Sequence, residues 1–386
     1  MKILAIETSC DDTAIAILEI KAGKIPGFKV LSNIISSQTE LHKKYGGVFP
    51  AMAKREHQKN LVPVLTQALK QAKLLKNQKP NTKNQNHNPK IKDIEKIMEK
   101  ESELHKNVME FLQKYEKPDI DAIAVTHGPG LEPCLWVGVN FAKALSAFWQ
   151  KPIIPVNHIE AHILINWLNN PKIEFPAIAL IVSGGHTQLI LVKGIGKYKI
   201  IGETQDDAAG ECFDKTARLL GLGYPGGPII SEITSKANNP PRPIILPRPM
   251  IDSKDYDFSF SGLKTALLYA VKDRAPQELK DEKFIEAVAV EIEQTIVDVL
   301  VKKTIKAAKD YKAKTIILGG GVSANSKLRS EFEIKNQKSK IKIIYPEKNL
   351  STDNALMIAV TGYFHKNKKT KSWKKIKAKA NLRISK

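Results

Sequence analysis

The chain has 386 residues, two or three domain-lengths, with 42% hydrophobic and 26% charged residues, a globular rather than a disordered mix. Sixty-one Lys and Arg against forty Asp and Glu give a net charge of +21. No apolar run reaches the roughly 18–20 residues that span a bilayer, the opening MKILAIETSCDD meets acids too soon for a secretory leader, and Cys10, Cys134 and Cys212 stand too far apart for a disulfide scaffold or a cysteine zinc site; a cytoplasmic protein without a membrane partner is expected.

In chain order, Lys2–Glu7 and Ala14–Leu18 are apolar runs around the polar turn TSCDDT, a hairpin signal. Helical periodicity follows over Met52–Leu75. The composition then breaks from Lys76 to Lys106: NQKPNTKNQNHNPKIKD is nearly free of large apolar side chains, which predicts a flexible loop over Lys76–Pro89 and a weak amphipathic helix over Ile91–Tyr115. Ile120–Thr126, the helix Cys134–Trp149 and Pro152–Val156 form a β-α-β unit, which favours a parallel sheet.

The second half restarts this scheme. Ala177–Val182 and Gln188–Val192 flank SGGHT as a hairpin, and Tyr198–Ile201 is a third strand. Helices are expected over Ala208–Leu220, Phe260–Val271 and Phe284–Lys309. Thr315–Leu318 is a strand ending in GGGVSAN, a helix begins near Asn325, Ile341–Tyr345 is the last strand, and a final helix runs from Thr352 to His365. ILAIETSCDDTAIAIL matches IALIVSGGHTQLILV in pattern, as IAVTHGPG matches TIILGGGVSAN. An internal duplication into two α/β lobes facing across a cleft follows: residues 1–157 plus 353–365 with an insert over about 76–106, then residues 158–352, then a basic tail, 366–386. Residues 365–386 carry nine Lys and one Arg with no acid, a composition that suits a phosphate backbone or a merely solvated tail.

SGGHT (Ser183–Thr187) and GGGVSAN (Gly319–Asn325) are phosphate or nucleotide candidates, because glycines let backbone N–H groups approach an anion. Neither matches the P-loop or GxGxxG pattern, and turn chemistry alone explains many glycine pairs. In HIEAH, Asn157 is a natural N-cap, Glu160 completes a capping-box spacing, and His158 and His162 at i and i+4 share a face. Two imidazoles with a distant carboxylate make a mixed metal site with open positions; paired polar histidines are the plainer alternative. HExxH is absent, since Ile159 stands where a zinc protease has its Glu. STDNALMIA supplies Asp353 as a third ligand in the first turn of the last helix, where the helix dipole favours a carboxylate even without metal. Asp207, Glu211 and Asp214 at i, i+4 and i+7 form one acidic face, against a solvated reading with Asp214 paired to Arg218.

Taken together, ILAIETSCDDT, YGGVFPAMAKREH, GPG, HIEAH, LIVSGGHTQL, DDAAGECFDKTARLLGLGYPGGP, LPRPM, DFSFSGLKTA, GGGVSAN and STDNALMIA resemble the tRNA N6-adenosine threonylcarbamoyltransferase family, over roughly residues 1–75 and 118–365 and in its bacterial and mitochondrial form. The resemblance implies an actin/Hsp70/hexokinase-type fold (ASKHA) of two ribonuclease H-like lobes around a central cleft. It implies transfer of the threonylcarbamoyl group from L-threonylcarbamoyladenylate to N6 of adenosine 37 in tRNAs reading codons that start with A, with release of AMP. It also implies a divalent metal, iron(II) or zinc, on His158, His162 and Asp353, with substrate contacts at Ile181, Val182, Ser183, Gly184, Gly185, Asp214, Gly227 and Asn325. The family's partners are a TsaB-like inactive paralogue and a TsaE-like small ATPase. Glu7, Asp11 and Asp12 are expected to line the same cleft, with no general base assigned among them. The long insert departs from the family, projecting where its paralogue docks, and the lysine-rich tail is expected to add tRNA affinity. A small-molecule kinase of the same fold would have no use for the His–His–Asp set, and a non-catalytic partner subunit would lack it.

Overall fold

The computed structural model describes residues 1–78, 90–237, 244–272, 274, 277, 281–337 and 339–385. The expected loop over Lys76–Pro89 lies mostly outside the described residues. Two compact units divide the chain: Met1–Leu41, Val48–Lys172 and Asp353–Arg383 in the first, His42–Gly47, Ile173–Thr352 and Ile384–Lys386 in the second.

The first unit is built on five strands, β1 (Lys2–Glu7), β2 (Asp12–Lys21), β3 (Gly27–Ser37), β4 (Ala122–Gly128) and β5 (Ile153–Asn157), in the order β3-β2-β1-β4-β5. β1 and β2 pair antiparallel as the expected hairpin, and β4 and β5 join in parallel. β1 and β4 are buried at nearly every position because both of their faces are covered. The helices are α1 (Thr39–Lys43), α2 (Pro50–Gln71), α3 (Lys90–Ile97), α4 (Ser102–Lys114), α5 (Glu132–Trp149), α6 (His158–Leu164) and, returning from the far end of the chain, α12 (Ala355–Phe364).

Three expectations change here. The single helix over Ile91–Tyr115 is two, α3 and α4, and their Ile94, Met98, Leu104, Val108, Phe111 and Leu112 belong to the main core, so this part of the insert is packed in rather than projecting. β3 joins the sheet although its sequence alternates poorly, because it is an edge strand exposed over much of its length. The unit boundary falls after Lys172, not after Asn157, because all of α6 is buried and packs with α12.

The second unit repeats the plan with β6 (Ala177–Val182), β7 (Thr187–Gly194), β8 (Lys197–Glu203), β9 (Thr315–Gly319) and β10 (Lys342–Ile344), in the order β10-β9-β6-β7-β8. From the hairpin edge inward this is the order of the first sheet, with two antiparallel pairings followed by two parallel ones. Its helices are α7 (Ala209–Leu219), α8 (Gly226–Lys236), α9 (Ser261–Lys272), α10 (Glu282–Asp310) and α11 (Ser326–Asn336). α8 is a helix where GYPGGP reads as a turn: Gly226 and Gly227 are its first residues. Its own core gathers β6, β7 and β9 with α7, α9 and α10.

Candidate metal centre and glycine loops

The first site grows from the end of β5. Asn157 leaves the strand extended, and its side chain accepts a hydrogen bond from Glu160 N at 3.1 Å, so α6 starts at His158. The i, i+4 spacing then sets the two imidazoles edge to face, with ring centroids 4.7 Å apart and planes 85° apart. Asp353 arrives from the other end of the chain. It lies before the helix rather than in its first turn, because Asn354 caps α12 by accepting from Met357 N at 3.1 Å. Asp353 Oδ1 is 3.1 Å from His162 Nε2 and 3.5 Å from His158 Nε2. One ligand atom from each residue falls within 4.8 Å of the others.

This spacing fits a metal. Donors each about 2.0–2.2 Å from one ion stand about 3–3.5 Å from one another, which is where Asp353 stands from each imidazole. Behind His158, Glu7 Oε2 lies 3.3 Å from Nδ1 and Ser9 Oγ 3.2 Å from it. Glu7 is wholly buried and also accepts from Ser9 N and from Thr126 Oγ1 at 2.6 Å. A carboxylate behind a ligating imidazole fixes its tautomer and raises its basicity, so Glu7 serves as the orienting group of His158. His162 Nδ1 is buried and finds no hydrogen-bond partner among the described residues, which leaves Nε2 as the atom that meets Asp353.

The electrostatics distinguish the two rings. Burial opposes charge on His158, but Asp353 and Glu7 outweigh it and push the group up to about 9. Burial holds His162 below its ordinary value, with Asp353 only partly compensating. A cation between the rings would take the place of that proton. Burial also pushes Asp12 up to about 7, with the Ser37 hydroxyl pulling the other way and Asp353, Asp11 and Glu7 adding to the rise.

Sequence reasoning missed the support beneath this site. Glu160, between the two histidines, turns its carboxylate not to the helix start, as a capping box would, but to His365 Nε2 at 2.7 Å, both groups buried. The HIEAH spacing carries no sign of this pairing, because His365 is distant in sequence.

In the second unit the two glycine loops lie side by side. β6 and β9 are parallel neighbours with Ile181 opposite Gly319, so SGGHT and GGGVSAN leave from adjacent strand ends. Gly320 holds φ +85°, and a side chain there would strike the Val182 carbonyl. Ile181 and Val182 have fully buried side chains, so a ligand meets them only through backbone. Ser183 N donates to His186 O at 2.8 Å, and the added Cβ of Gly184 or Gly185 would meet nothing within 4 Å. α7 begins directly beneath this turn: a Cβ on Gly210 would sit 2.7 Å from Ser183 O and 2.8 Å from Gly184 N.

The remaining expected residues have local duties. Asp214 does not pair with Arg218, which donates to Gly46 O instead. It accepts from Gly226 N at 2.7 Å, holding the start of α8 where Gly227 also lies. Burial raises the Asp214 carboxyl above its ordinary value, with the Gly226 and Gly227 N–H groups pulling it back. Asp207 precedes α7, and Lys215 bridges it to Glu211 at 2.6 and 2.9 Å, so the three acids form no continuous face. Asn325 caps α11 through Leu328 N at 2.8 Å and donates its amide to the buried Glu293 at 2.6 Å.

Two five-stranded α/β units of one topology, with paired glycine loops at the strand ends of the second and a His–His–Asp set in the first, define a protein of the ASKHA fold class. Full-length HypF in its phosphate- and nucleotide-bound form shares the fold, with a TM-score of 0.51 and 13% identity over 95% of this chain and 46% of HypF. The profile "TsaD: tRNA N6-adenosine threonylcarbamoyltransferase" matches residues 29–79 and 99–360, interrupted within the insert. Proteins named tRNA N6-adenosine threonylcarbamoyltransferase from Thermosipho africanus and Persephonella marina are 42% and 41% identical, covering all of this chain and 100% and 96% of their own. The chain belongs to the tRNA N6-adenosine threonylcarbamoyltransferase family.

Proposed function

We propose that this chain is the acyltransferase of its family, transferring the threonylcarbamoyl group from L-threonylcarbamoyladenylate to N6 of adenosine 37 in tRNAs that read codons starting with A. The convergence of His158, His162 and Asp353 carries this reading within the family, because a non-catalytic relative has no need of it. In the reaction the exocyclic amine attacks the carbamoyl carbon, a C–N bond forms, the C–O bond to phosphate breaks, AMP leaves with the electron pair, and the attacking nitrogen gives up one proton to solvent. The mixed anhydride already carries a good leaving group, so the protein's work is positioning and charge stabilisation.

Gly184, Gly185 and the Gly319–Asn325 loop offer backbone N–H groups to phosphate, with Ile181, Val182 and Ser183 forming the approach. Asp214 and Gly227 suit ribose and base, and Asn325 fixes the loop that carries it. His158, His162 and Asp353 would hold the metal, which supplies Lewis-acid polarisation when bound. Two imidazoles and one carboxylate with open positions favour iron(II), with zinc as the second choice. Glu7 keeps His158 in one tautomer. Our reading puts the reaction in the cytoplasm, with a TsaB-like paralogue and a TsaE-like ATPase as partners.

The test supplies the purified protein and its expected partners with L-threonylcarbamoyladenylate and unmodified tRNA, and scores modified adenosine by mass spectrometry. Product from the wild type and none from His158→Ala is expected. No product from the wild type would overturn the assignment, and undiminished product from His158→Ala would remove the metal from it.

A further inference from the structure

The segment after α12 is not a loose tail. From Thr370 it is stitched to the first unit: Thr370 N donates to Ile153 O and Ile153 N to Thr370 O, at 2.9 and 2.8 Å, along the free edge of β5. Trp373 then packs against the core with Ala378, so this ring anchors the segment and is not offered to a base. Beyond the buried Ile376 the chain runs extended and crosses the carboxyl end of β4. Lys379 N donates to His127 O at 2.7 Å, Gly130 N donates to Ala380 O at 3.1 Å, and a turn closes from Leu382 N to Lys379 O at 3.2 Å. The GPG loop is shaped to receive it, since a side chain on Gly128 would strike the Lys379 carbonyl. The last stitch runs from Asn157 Nδ2 to Leu382 O at 3.5 Å, on the residue that caps the His158 helix.

Burial alternates along this strap. Ile376, Ala378, Ala380 and Leu382 turn inward, and Lys377, Lys379, Asn381 and Arg383 turn outward. In the extended part, outward residues stand about 6.6 Å apart. No acidic residue occurs from Thr361 to Lys386. Burial and the positive field of Lys379 and Lys368 hold His127 below its ordinary value, so the strap's charge reaches the protein surface beneath it.

We infer that this strap is a phosphate rail: Lys377, Lys379 and Arg383 bind the RNA phosphate backbone and lead it to the mouth of the His–His–Asp site. The inference rests on tRNA being the substrate. An ordered row of cations ending at the N-cap of the ligand-bearing helix fixes a register as well as supplying affinity, which a solvated tail does not. Each phosphate it neutralises releases counterions, so salt dependence reports on the rail directly.

The experiment measures binding of an unmodified tRNA transcript by fluorescence anisotropy over a KCl series. It compares wild type, Lys377→Gln/Lys379→Gln/Arg383→Gln, and a control triple at the exposed Lys335, Lys340 and Lys342 of the second unit. The rail variant is expected to weaken binding at least about tenfold at 0.1 M KCl and to flatten the log–log salt slope by about 2, three contacts at about 0.7 each. Its melting temperature and metal stoichiometry stay at wild-type values, and the control keeps its slope. An unchanged slope in the rail variant, or an equal loss in the control, overturns the rail and leaves the catalytic reading intact. A wild type that fails to bind the transcript overturns both.

Discussion

Glu160 Oε1 and His365 Nε2 meet at 2.7 Å in a largely buried contact, one residue midway between the two imidazole ligands and the other just past α12. Asp353 stands at the opposite end of α12, so this contact ties both ends of the ligand set to one rigid helix.

Glu160→Ala is therefore expected to cost about 3 kcal/mol of stability, since it strands a buried polar partner. His365→Ala should lose a similar amount, and the double variant much less than the sum. Chemical denaturation of the four proteins measures the coupling; additive losses would show that the pair does not act as a unit.

Metal affinity should fall in two grades. Asp353→Ala removes a ligand and is expected to abolish stoichiometric binding. Glu7→Gln keeps every ligand, loses the charge behind His158, and is expected to weaken binding about 10–100-fold. Calorimetric titration of the metal-stripped protein with zinc or cobalt distinguishes these grades without recourse to activity.

The start of α9 depends on one carboxylate. Burial works against ionised Asp206, but Ser259 Oγ, Phe260 N and the N–H and hydroxyl of Ser261 all donate to it and hold it below the ordinary carboxylate range. A lowered native value means its contribution is present above the unfolded value of about 4 and is lost as pH falls through the native one. Asp206→Ala should cost about 1 kcal/mol at pH 7, and its difference from wild type should shrink below about pH 4. Thermal melts at pH 7, 5 and 3 check the trend.

Gly210→Ala places a methyl against the Ser183 carbonyl and the Gly184 N–H. The turn must shift, at a cost of about 1–3 kcal/mol. Nucleotide affinity should fall more than tRNA affinity, as separate binding titrations with AMP and tRNA would show.

These sites divide by how local their signals are. The β1–β2 hairpin, the duplicated plan and the His158–His162 helix were legible because each is written in adjacent residues: alternation, glycine turns, a cap and an i, i+4 pair. β3 was hidden because an exposed edge strand such as GFKVLSNIISS need not alternate. α8 was hidden because Gly226, Gly227 and Pro228 imitate a turn, while Asp214, contributed by α7, holds the helix start. Asp206, Glu7 and His365 act on elements distant in sequence, and nothing in their immediate neighbours announces it. Asp353 was found by motif but expected inside the first turn, whereas Asn354 caps α12 and leaves Asp353 before the helix.

The order in which the three metal ligands leave the ribosome has its own consequence. Both histidines emerge early, whereas Asp353 follows His162 by 191 residues, after the second unit has been made. A nascent or truncated chain therefore holds two imidazoles without the carboxylate that completes the ligand set. Metal capture becomes a seal on completed synthesis, since a fragment ending inside the second unit lacks both Asp353 and the α12 helix that packs on α6.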